Sequence, residues 1–327
     1  MKLNGLPGNE VPSGLKVGEF ETGDGVKLRY AVSDGPPGRR GTVCIFQGRA
    51  EFIERYFETI NDLHARRYAV AIMDWRGQGG SERILQNRHR GHISSFKKYD
   101  RDFDDFMHHV VLPDCPPPYN ALAHSTGAQI LLRSIHKHTW FDKVVMSSPF
   151  VGLADHFLPH LVIRSIAALA TACGLGWIYA PGPAHRMLNA ADFPGNRLTS
   201  DVGRFSRDVR TLEHAPELGL GGPTLGWLNA TINSIASLSA LKRVEKLRTP
   251  VLFVSAGADK MVSTSAALAL AAQVPGIAAV KSDYARHELL NERDEFREQF
   301  WAAFDSFMEE RLTKAPREQA TATTPNR

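Results

Sequence analysis

Short apolar runs alternate with longer segments in which apolar residues recur at helical spacing, and this alternation constrains the fold more than any other feature. Thr42–Phe46 and Ala69–Met73 are two such runs, and Phe52–Arg67 between them carries apolar residues along one helix face. A strand that is apolar on both faces needs cover on both, which helices packed on a parallel sheet provide. The alternation therefore predicts an α/β fold, with a doubly wound, mostly parallel sheet and right-handed crossovers.

The other elements follow from the same reasoning. Gly18–Thr22 and Val26–Val32 predict a hairpin that turns at residues 23–25. Further strands are expected near residues 119–123, 143–147, 250–255 and 277–281, and further helices near 95–110, 128–133, 265–273 and 294–312.

The alternation stops between Phe150 and about Leu225, where six prolines and many glycines occur without strand-like alternation. We expect this stretch to be an irregular, partly helical insertion. The expected organisation is an α/β core in two parts, residues 18–150 and 226–312, with a helical cap insertion over 151–225 and a disordered tail over 313–327. The cap's apolar segment is interrupted by Pro159 and Arg164, which argues against a membrane span because a charge at the bilayer centre is costly.

Charge and cysteine content argue against several classes of function. The net charge is +4, from 39 basic and 35 acidic residues, and the basic residues form no dense patch, so nucleic-acid binding is not expected. This charge is compatible with weak, peripheral contact with an anionic membrane surface. Cys44, Cys115 and Cys173 show neither zinc-site spacing nor a disulfide framework. The N-terminus lacks the apolar core of a signal peptide, so the cytoplasm is the expected location.

The segment Tyr119–Ala128 has the strand-turn-helix form of a nucleophile elbow. In such a turn small residues flank the serine, because a bulky side chain would collide with neighbouring backbone. The usual pattern is G-x-S-x-G; here Ala123 replaces the first glycine and Gly127 keeps the second. Ser125 is therefore the candidate nucleophile.

A serine hydroxyl needs a general base, and the base needs a carboxylate that orients it. Asp259 and His287 each follow a predicted strand, and they come after Ser125 in the order Ser, Asp, His. Since site residues of open α/β sheets gather at the carboxyl ends of strands, we expect the three to meet. Asp283 is the alternative carboxylate, although it lies close to His287 in the chain. His124 is expected to pack under the turn and to point away from Ser125.

Hydrolysis by a serine also needs two backbone N–H groups aimed at the developing oxyanion. The predicted donors are Thr126, directly after the nucleophile, and Arg49, in the loop after the Thr42–Phe46 strand, with Ala50 as the alternative to Arg49. The glycines within residues 76–80 fit neither common nucleotide-binding pattern, so this segment is interpreted as a structural loop.

Several motifs occur in an order that is shared with one group of enzymes. They are Gln47-Gly48-Arg49-Ala50-Glu51, Asp74-Trp75-Arg76-Gly77-Gln78-Gly79-Gly80-Ser81, Arg90-Gly91-His92-Ile93, Ala123-His124-Ser125-Thr126-Gly127, Gly221-Gly222-Pro223-Thr224 and His287-Glu288. From about residue 18 to 308 the chain resembles the bacterial lysophospholipase and monoacylglycerol-lipase-like (serine aminopeptidase-like) branch of the α/β-hydrolases. The resemblance implies a carboxylester hydrolase with Ser125, Asp259 and His287 as its triad, an acyl pocket under the cap, and neither metal nor organic cofactor.

The sequence departs from the broader family in three places that bear on pocket shape and substrate. Gln47 stands where the oxyanion loop usually has histidine, the elbow opens with Ala123, and Thr126-Gly127-Ala128 replaces the commoner Met-Gly-Gly. None of these changes removes a catalytic atom.

We therefore predict a serine carboxylester hydrolase that acts on a lysophospholipid or a monoacylglycerol. Two other functions stay open. A proline-type aminopeptidase or amidase would need an acidic cluster in the cap to hold a substrate ammonium, and a non-catalytic binding protein could share the fold. The cap's apolar residues, such as Ile166 and Trp177, are expected to line a funnel for the acyl chain over Ser125, or alternatively to pack the cap onto the core.

Overall fold

Eight strands form one sheet in the computed structural model, which describes residues 1–154, 159–181, 189–243 and 247–309. The strands are β1 (Lys16–Glu21), β2 (Lys27–Ser33), β3 (Thr42–Phe46), β4 (Ala69–Met73), β5 (Tyr119–His124), β6 (Phe141–Ser147), β7 (Val251–Ala256) and β8 (Ile277–Ser282). Their order across the sheet is β1-β2-β4-β3-β5-β6-β7-β8, and β2 is antiparallel to both of its neighbours. The remaining pairs are parallel, which confirms the predicted mostly parallel α/β sheet.

The central strands are apolar throughout because helices cover both of their faces. Every residue of β3 and β4 is buried. Along β3, Cys44 and Phe46 pack into one apolar cluster, whereas Val43 and Ile45 pack into a second cluster on the opposite face. This two-sided burial produces the continuous apolar runs from which the sheet is predicted.

The helices of the described residues include one near each of the five predicted positions, together with one over Leu225–Ser237 that was not predicted. They are α1 (Phe57–Ala65), α2 (Lys97–Phe106), α3 (Leu112–Asp114), α4 (Thr126–Ser134), α5 (His160–Ala172), α6 (Val202–His214), α7 (Leu225–Ser237), α8 (Thr264–Gln273) and α9 (Asp294–Glu309). A 3-10 turn over Ile53–Tyr56 precedes α1, and a π-helical turn over Met107–Val111 joins α2 to α3. The predicted helix end at residue 312 and the predicted tail over 313–327 lie outside the described residues.

The chain between β6 and β7 contains helices and 3-10 turns but no strand among its described residues. Within it α5 packs against α7. The next helix, α6, is tied to the sheet domain by an ion pair of 2.7 Å between Arg204 and Glu58. The cap boundaries at residues 151 and 225 stay a prediction. None of the described helices has the length and apolar character that crossing a bilayer requires.

Candidate active site

Ser125 lies at the sharp turn between β5 and α4, with φ 49° and ψ −111°. Such a backbone conformation is uncommon for a residue with a side chain and is stabilised only by its surroundings. The Ser125 N–H donates to the carbonyl oxygen of Ser147 at 3.0 Å, and the Phe150 N–H donates to the Ser125 carbonyl oxygen at 3.2 Å. A methyl group on Gly127 would overlap the carbonyl oxygen of Phe46, so the second small residue of the motif is sterically required. The backbone of a nucleophile elbow is therefore present.

The structure brings the predicted Ser125, Asp259 and His287 side chains into one hydrogen-bonded chain. Asp259 follows β7 and His287 follows β8, so both project from carboxyl ends of neighbouring parallel strands. His287 Nε2 lies 3.0 Å from Ser125 Oγ, and His287 Nδ1 lies 2.7 Å from Asp259 Oδ2. This is the arrangement of nucleophile, base and orienting carboxylate that acyl transfer requires.

The surroundings of Asp259 and His287 favour a charged pair. Burial disfavours the ionised carboxylate, but the hydrogen bond and charge of His287 outweigh it and lower the pKa of Asp259. Burial also disfavours the imidazolium, yet the hydrogen bond and charge of Asp259, with the charges of Glu288 and Glu51, raise the pKa of His287 above its usual 6.5. His287 is thus a stronger base than an isolated imidazole.

Two backbone N–H groups beside Ser125 are available to an oxyanion. In the described part of the chain, the N–H groups of Arg49 and Thr126 have no hydrogen-bond acceptor within the protein. Thr126 opens α4, where the helix dipole also favours a negative charge. The alternative donor is occupied, because the Ala50 N–H donates to Gln78 Oε1 at 3.2 Å.

The loop after β4 holds the loop after β3 in place, a role that sequence reasoning missed. Gln78 Nε2 donates to the carbonyl oxygen of Gly48 at 2.8 Å, and Trp75 Nε1 donates to that of Gln47 at 2.9 Å. Gln47 Nε2 in turn donates to Asp74 Oδ1 at 3.1 Å. Residues 76–80 are therefore structural, as expected, but they support the predicted oxyanion loop directly.

A cavity of about 450 Å³ opens over Ser125 and His287. Its apolar lining consists of Phe52, Phe150, Leu198, Leu212, Leu220, Trp227, Met261 and Val262. These side chains come from both halves of the sheet domain and from the segment between β6 and β7. The cavity provides an apolar wall next to the candidate nucleophile.

A buried ionic cluster, which sequence reasoning also missed, forms another part of the cavity wall. Arg55 lies 3.6 Å from Glu51, 2.8 Å from Asp208 and 2.6 Å from Glu288. Burial raises the pKa of Asp208 to about 6, although Arg55 and Arg207 oppose the rise. The carboxylates come from three distant parts of the chain, so no local sequence pattern marks the cluster.

His124 and Asp283 do not take the catalytic positions. The His124 ring is buried with its centroid 4.9 Å from that of His287 and lines the cavity, rather than pointing away from the site as expected. Burial, with the nearby His287, lowers the pKa of His124 to about 3, so this imidazole stays neutral. Asp283 is exposed and pairs with Lys281 at 2.7 Å.

The cap's apolar residues do not lie where the funnel interpretation put them. Leu161, Ile166 and Leu169 of α5 and the nearby Trp177 are exposed, with relative accessibilities of 72%, 47%, 67% and 46%. None of them lines the cavity over Ser125, and only Ala167 of α5 is buried. Both the funnel and its alternative, packing of these side chains onto the core, are therefore wrong for this face of α5.

The described residues contain no cluster of typical metal ligands. No group of three or more His, Cys, Asp or Glu side chains in these ranges is arranged to hold a metal ion.

Comparison with known proteins identifies relatives along most of the chain. The family model Hydrolase_4, described as serine aminopeptidase, S33, matches residues 37–294. The probable lysophospholipase L2 of Haemophilus influenzae is 30% identical over 288 residues, which cover 86% of this chain and 88% of that protein. Lysophospholipase L2 of Escherichia coli K12 is 30% identical over 224 residues, which cover 67% of this chain and 64% of that protein.

Solved structures share the fold at lower identity. A soluble variant of monoglyceride lipase from Saccharomyces cerevisiae superposes with a TM-score of 0.66 at 19% identity, covering 91% of this chain and 94% of that one. The monoacylglycerol lipase of Paleococcus ferrophilus gives 0.63 at 18% identity, covering 89% and 97%. At these identities the likeness establishes the α/β-hydrolase fold.

Proposed function

The chain belongs to the serine aminopeptidase S33 family of α/β-hydrolases, in its lysophospholipase-like branch, and is a serine ester hydrolase. From this premise we propose that it cleaves single-chain lipid esters, either lysophospholipids or monoacylglycerols, and that the reaction passes through an acyl-enzyme. The observation that carries the proposal is the hydrogen-bonded Ser125–His287–Asp259 chain at the edge of an apolar cavity. The names of the relatives, a probable lysophospholipase and a monoglyceride lipase, support this substrate class.

Acylation begins when Ser125 Oγ attacks the ester carbonyl carbon and His287 Nε2 accepts the serine proton. Asp259 holds the Nδ1 proton of His287, which leaves Nε2 free as the base. The Arg49 and Thr126 N–H groups donate to the oxyanion of the tetrahedral intermediate. His287 then gives its proton to the alcohol oxygen, the carbon–oxygen bond breaks, and glycerol or its phosphorylated derivative leaves.

Deacylation repeats the steps with water as the nucleophile. His287 takes a proton from water as the water oxygen attacks the acyl-enzyme carbonyl. Collapse of the second intermediate returns the proton to Ser125 and releases the fatty acid. No step requires a metal or an organic cofactor.

The exposed apolar side chains of α5 and the nearby Trp177 support the proposal that the protein makes peripheral contact with the membrane that supplies its substrate. Leu161, Leu169 and Trp177 are each more exposed than an aqueous surface favours for a large apolar side chain. Contact with lipid would bury them. The cytoplasmic location stays a prediction.

The deciding experiment is labelling with a fluorophosphonate probe, followed by assays on matched esters. We expect labelling in the wild type and none in Ser125→Ala. Palmitoyl esters of glycerol or glycerophosphate should be hydrolysed far faster than acetyl esters, because the apolar wall adds binding energy of about 0.8 kcal/mol per buried methylene. An unlabelled protein, or one with no preference for long chains, would contradict the proposal.

An aminopeptidase or amidase function has one observation in its favour, since Glu51, Asp208 and Glu288 line the cavity. All three carboxylates, however, lie within 4 Å of Arg55. Each carboxylate is therefore already paired with Arg55, which a substrate ammonium would have to displace. Turnover of prolyl or alanyl amides faster than that of palmitoyl esters would favour this second function instead.

A further inference from the structure

Arg49 contributes a second feature to the site besides its backbone N–H. Its guanidinium packs between two groups of the cavity wall, because Nη2 donates to the carbonyl oxygen of Gly221 and Cζ lies 5.3 Å from the centre of the Trp227 ring. Arg49, Gly221 and Trp227 all line the cavity over Ser125. A positive charge therefore lies in the wall beside the proposed oxyanion site.

Among the described residues this charge has no carboxylate partner. No Asp or Glu of the described residues lies within ion-pair distance of Arg49, and its buried Nε–H has no acceptor. Burial lowers the pKa of Arg49 to about 10, and the side chains of Tyr99 and Tyr179 act in the opposite direction. A desolvated cation without a counter-charge is costly, so an anion that enters the cavity would be bound favourably.

Several other buried arginines of this chain do have carboxylate partners. Arg29, Arg55 and Arg76 each have at least two carboxylates within ion-pair distance. Arg83 resembles Arg49 in lacking a carboxylate partner in the described residues, but its guanidinium donates to four backbone carbonyl groups and it does not line the cavity. Arg49 combines an unmatched charge, unused N–H groups and a position in the cavity wall.

We propose that the Arg49 guanidinium binds the phosphate of a lysophospholipid headgroup and so selects phosphorylated over neutral glycerol esters. This inference rests on the proposed function. A lysophospholipid carries its phosphate one glycerol unit from the scissile carbonyl, so a carbonyl at the oxyanion donors places the phosphate near the side chain of the same loop. The guanidinium presents several N–H donors in a plane, which matches phosphate oxygens. A monoacylglycerol leaves this charge unmatched.

A purely structural role is the alternative, in which Arg49 only ties its loop to Gly221. The two roles differ in the substrate they affect. A structural tie lowers the hydrolysis of every ester by a similar factor, whereas a phosphate site lowers the hydrolysis of phosphorylated esters more. The measured quantity is therefore the ratio of kcat/KM for palmitoyl lysophosphatidylglycerol to that for monopalmitoylglycerol.

Three variants change the guanidinium by different routes. Arg49→Met removes the charge and keeps much of the apolar stem, and Arg49→Lys keeps the charge but loses the planar donor set. Gly91→Ala leaves residue 49 intact, but the added methyl group would overlap Nη2 and lie 3.1 Å from Cζ of Arg49, so it displaces the guanidinium. Arg83→Met is the matched control, because it removes a similarly desolvated arginine outside the cavity lining.

We expect the ratio to fall about 10- to 100-fold in Arg49→Met, the loss associated with a hydrogen-bonded charged group. Arg49→Lys and Gly91→Ala should show smaller falls in the same direction, expressed mainly in KM, and Arg83→Met should keep the wild-type ratio. Glycerol 3-phosphate should inhibit the wild type competitively and Arg49→Met at least tenfold more weakly.

The inference is overturned if Arg49→Met and Gly91→Ala keep the wild-type ratio, or if Arg83→Met changes it as much as Arg49→Met does. It is also overturned if lysophosphatidylcholine, which carries the same phosphate, keeps its full preference over monopalmitoylglycerol in Arg49→Met. A protein that neither reacts with fluorophosphonate nor hydrolyses either palmitoyl ester would instead refute the proposed function itself.

Discussion

Replacing Asp259 by asparagine reverses the hydrogen bond that orients the proposed base. Oδ1 of Asp259 accepts the N–H groups of Met261 at 2.7 Å and Val262 at 3.0 Å, while Oδ2 contacts His287 Nδ1 at 2.7 Å. In Asp259→Asn the amide oxygen should remain with the two N–H groups, because only an oxygen can accept from them. The amide NH₂ then takes the place of Oδ2 and donates to Nδ1.

This reversal places the imidazole proton on Nε2, the atom that has to accept the proton of Ser125. The base is lost although the geometry is nearly unchanged, and the expected fall in kcat/KM is about 10⁴-fold, as for the equivalent exchange in other serine hydrolases. That factor corresponds to about 5 kcal/mol of transition-state stabilisation. The Asp259 side chain is fully buried, so little solvent is present to screen the change.

The pH profile supplies a second readout. Acylation needs neutral His287, whose pKa is raised above 6.5 in the wild type, so the acid limb of kcat/KM should have its midpoint above 6.5. Without the charge of Asp259, burial dominates and the pKa of His287 falls. The acid limb of the residual Asp259→Asn activity should therefore move to lower pH.

The assay is steady-state hydrolysis of a palmitoyl ester between about pH 5 and pH 9, a range that extends well to both sides of the ordinary histidine pKa of about 6.5. Asp283→Asn is the control, because Asp283 is an exposed carboxylate near His287 in the chain that pairs with Lys281. The assignment of Asp259 would be refuted if Asp259→Asn stayed within tenfold of the wild type, or if Asp283→Asn suffered the larger loss.

Four further predictions test the framework around the site. Gly127→Ala should destabilise the fold by about 1–3 kcal/mol and inactivate it, because the methyl group would overlap the Phe46 carbonyl oxygen; wild-type stability in urea denaturation would contradict this. Arg55→Met should cost about 3–5 kcal/mol in the free energy of unfolding, because it leaves buried carboxylates without a counter-charge. The pKa of His124 is about 3 in the folded protein and about 6.5 in the unfolded chain, so below pH 6.5 the unfolded chain binds a proton that the folded protein does not. The stabilising contribution of neutral His124 is therefore complete above pH 6.5 and is lost progressively as the pH falls toward about 3. The wild type should lose up to about 1.4 kcal/mol per pH unit relative to His124→Gln below pH 6.5, and parallel stability curves would argue against a buried neutral imidazole. Leu169→Gln should lower hydrolysis of vesicle-borne lysophospholipid several-fold relative to that of a soluble acetyl ester, and an unchanged ratio would exclude this face from membrane contact.

The strands and the order of the site residues follow from local sequence patterns. β3 and β4 are buried on both faces, so each appears as a short apolar run that needs no knowledge of its partners. The elbow is equally local, because the positive φ of Ser125 and the close approach at Gly127 restrict the residues at adjacent positions. Asp259 and His287 could be selected because both follow such strands at the carboxyl edge, where the parallel topology brings them together.

The charges and surfaces around the site were decided by the tertiary structure. Arg55 meets Asp208 and Glu288, which lie 153 and 233 residues further along the chain, and no short-range pattern encodes such contacts. The apolar composition of α5 suggested that its side chains are buried. Hydrophobicity, however, gives a side chain only a preference for leaving water and does not identify the surface against which that side chain packs. The same limit applies to Arg49, whose position in the chain predicts a backbone donor. Its guanidinium packs against Gly221 and Trp227 in the cavity wall, and no carboxylate of the described residues lies beside it. Whether a counter-charge is present depends on every group packed around the guanidinium, so only the folded structure could show it.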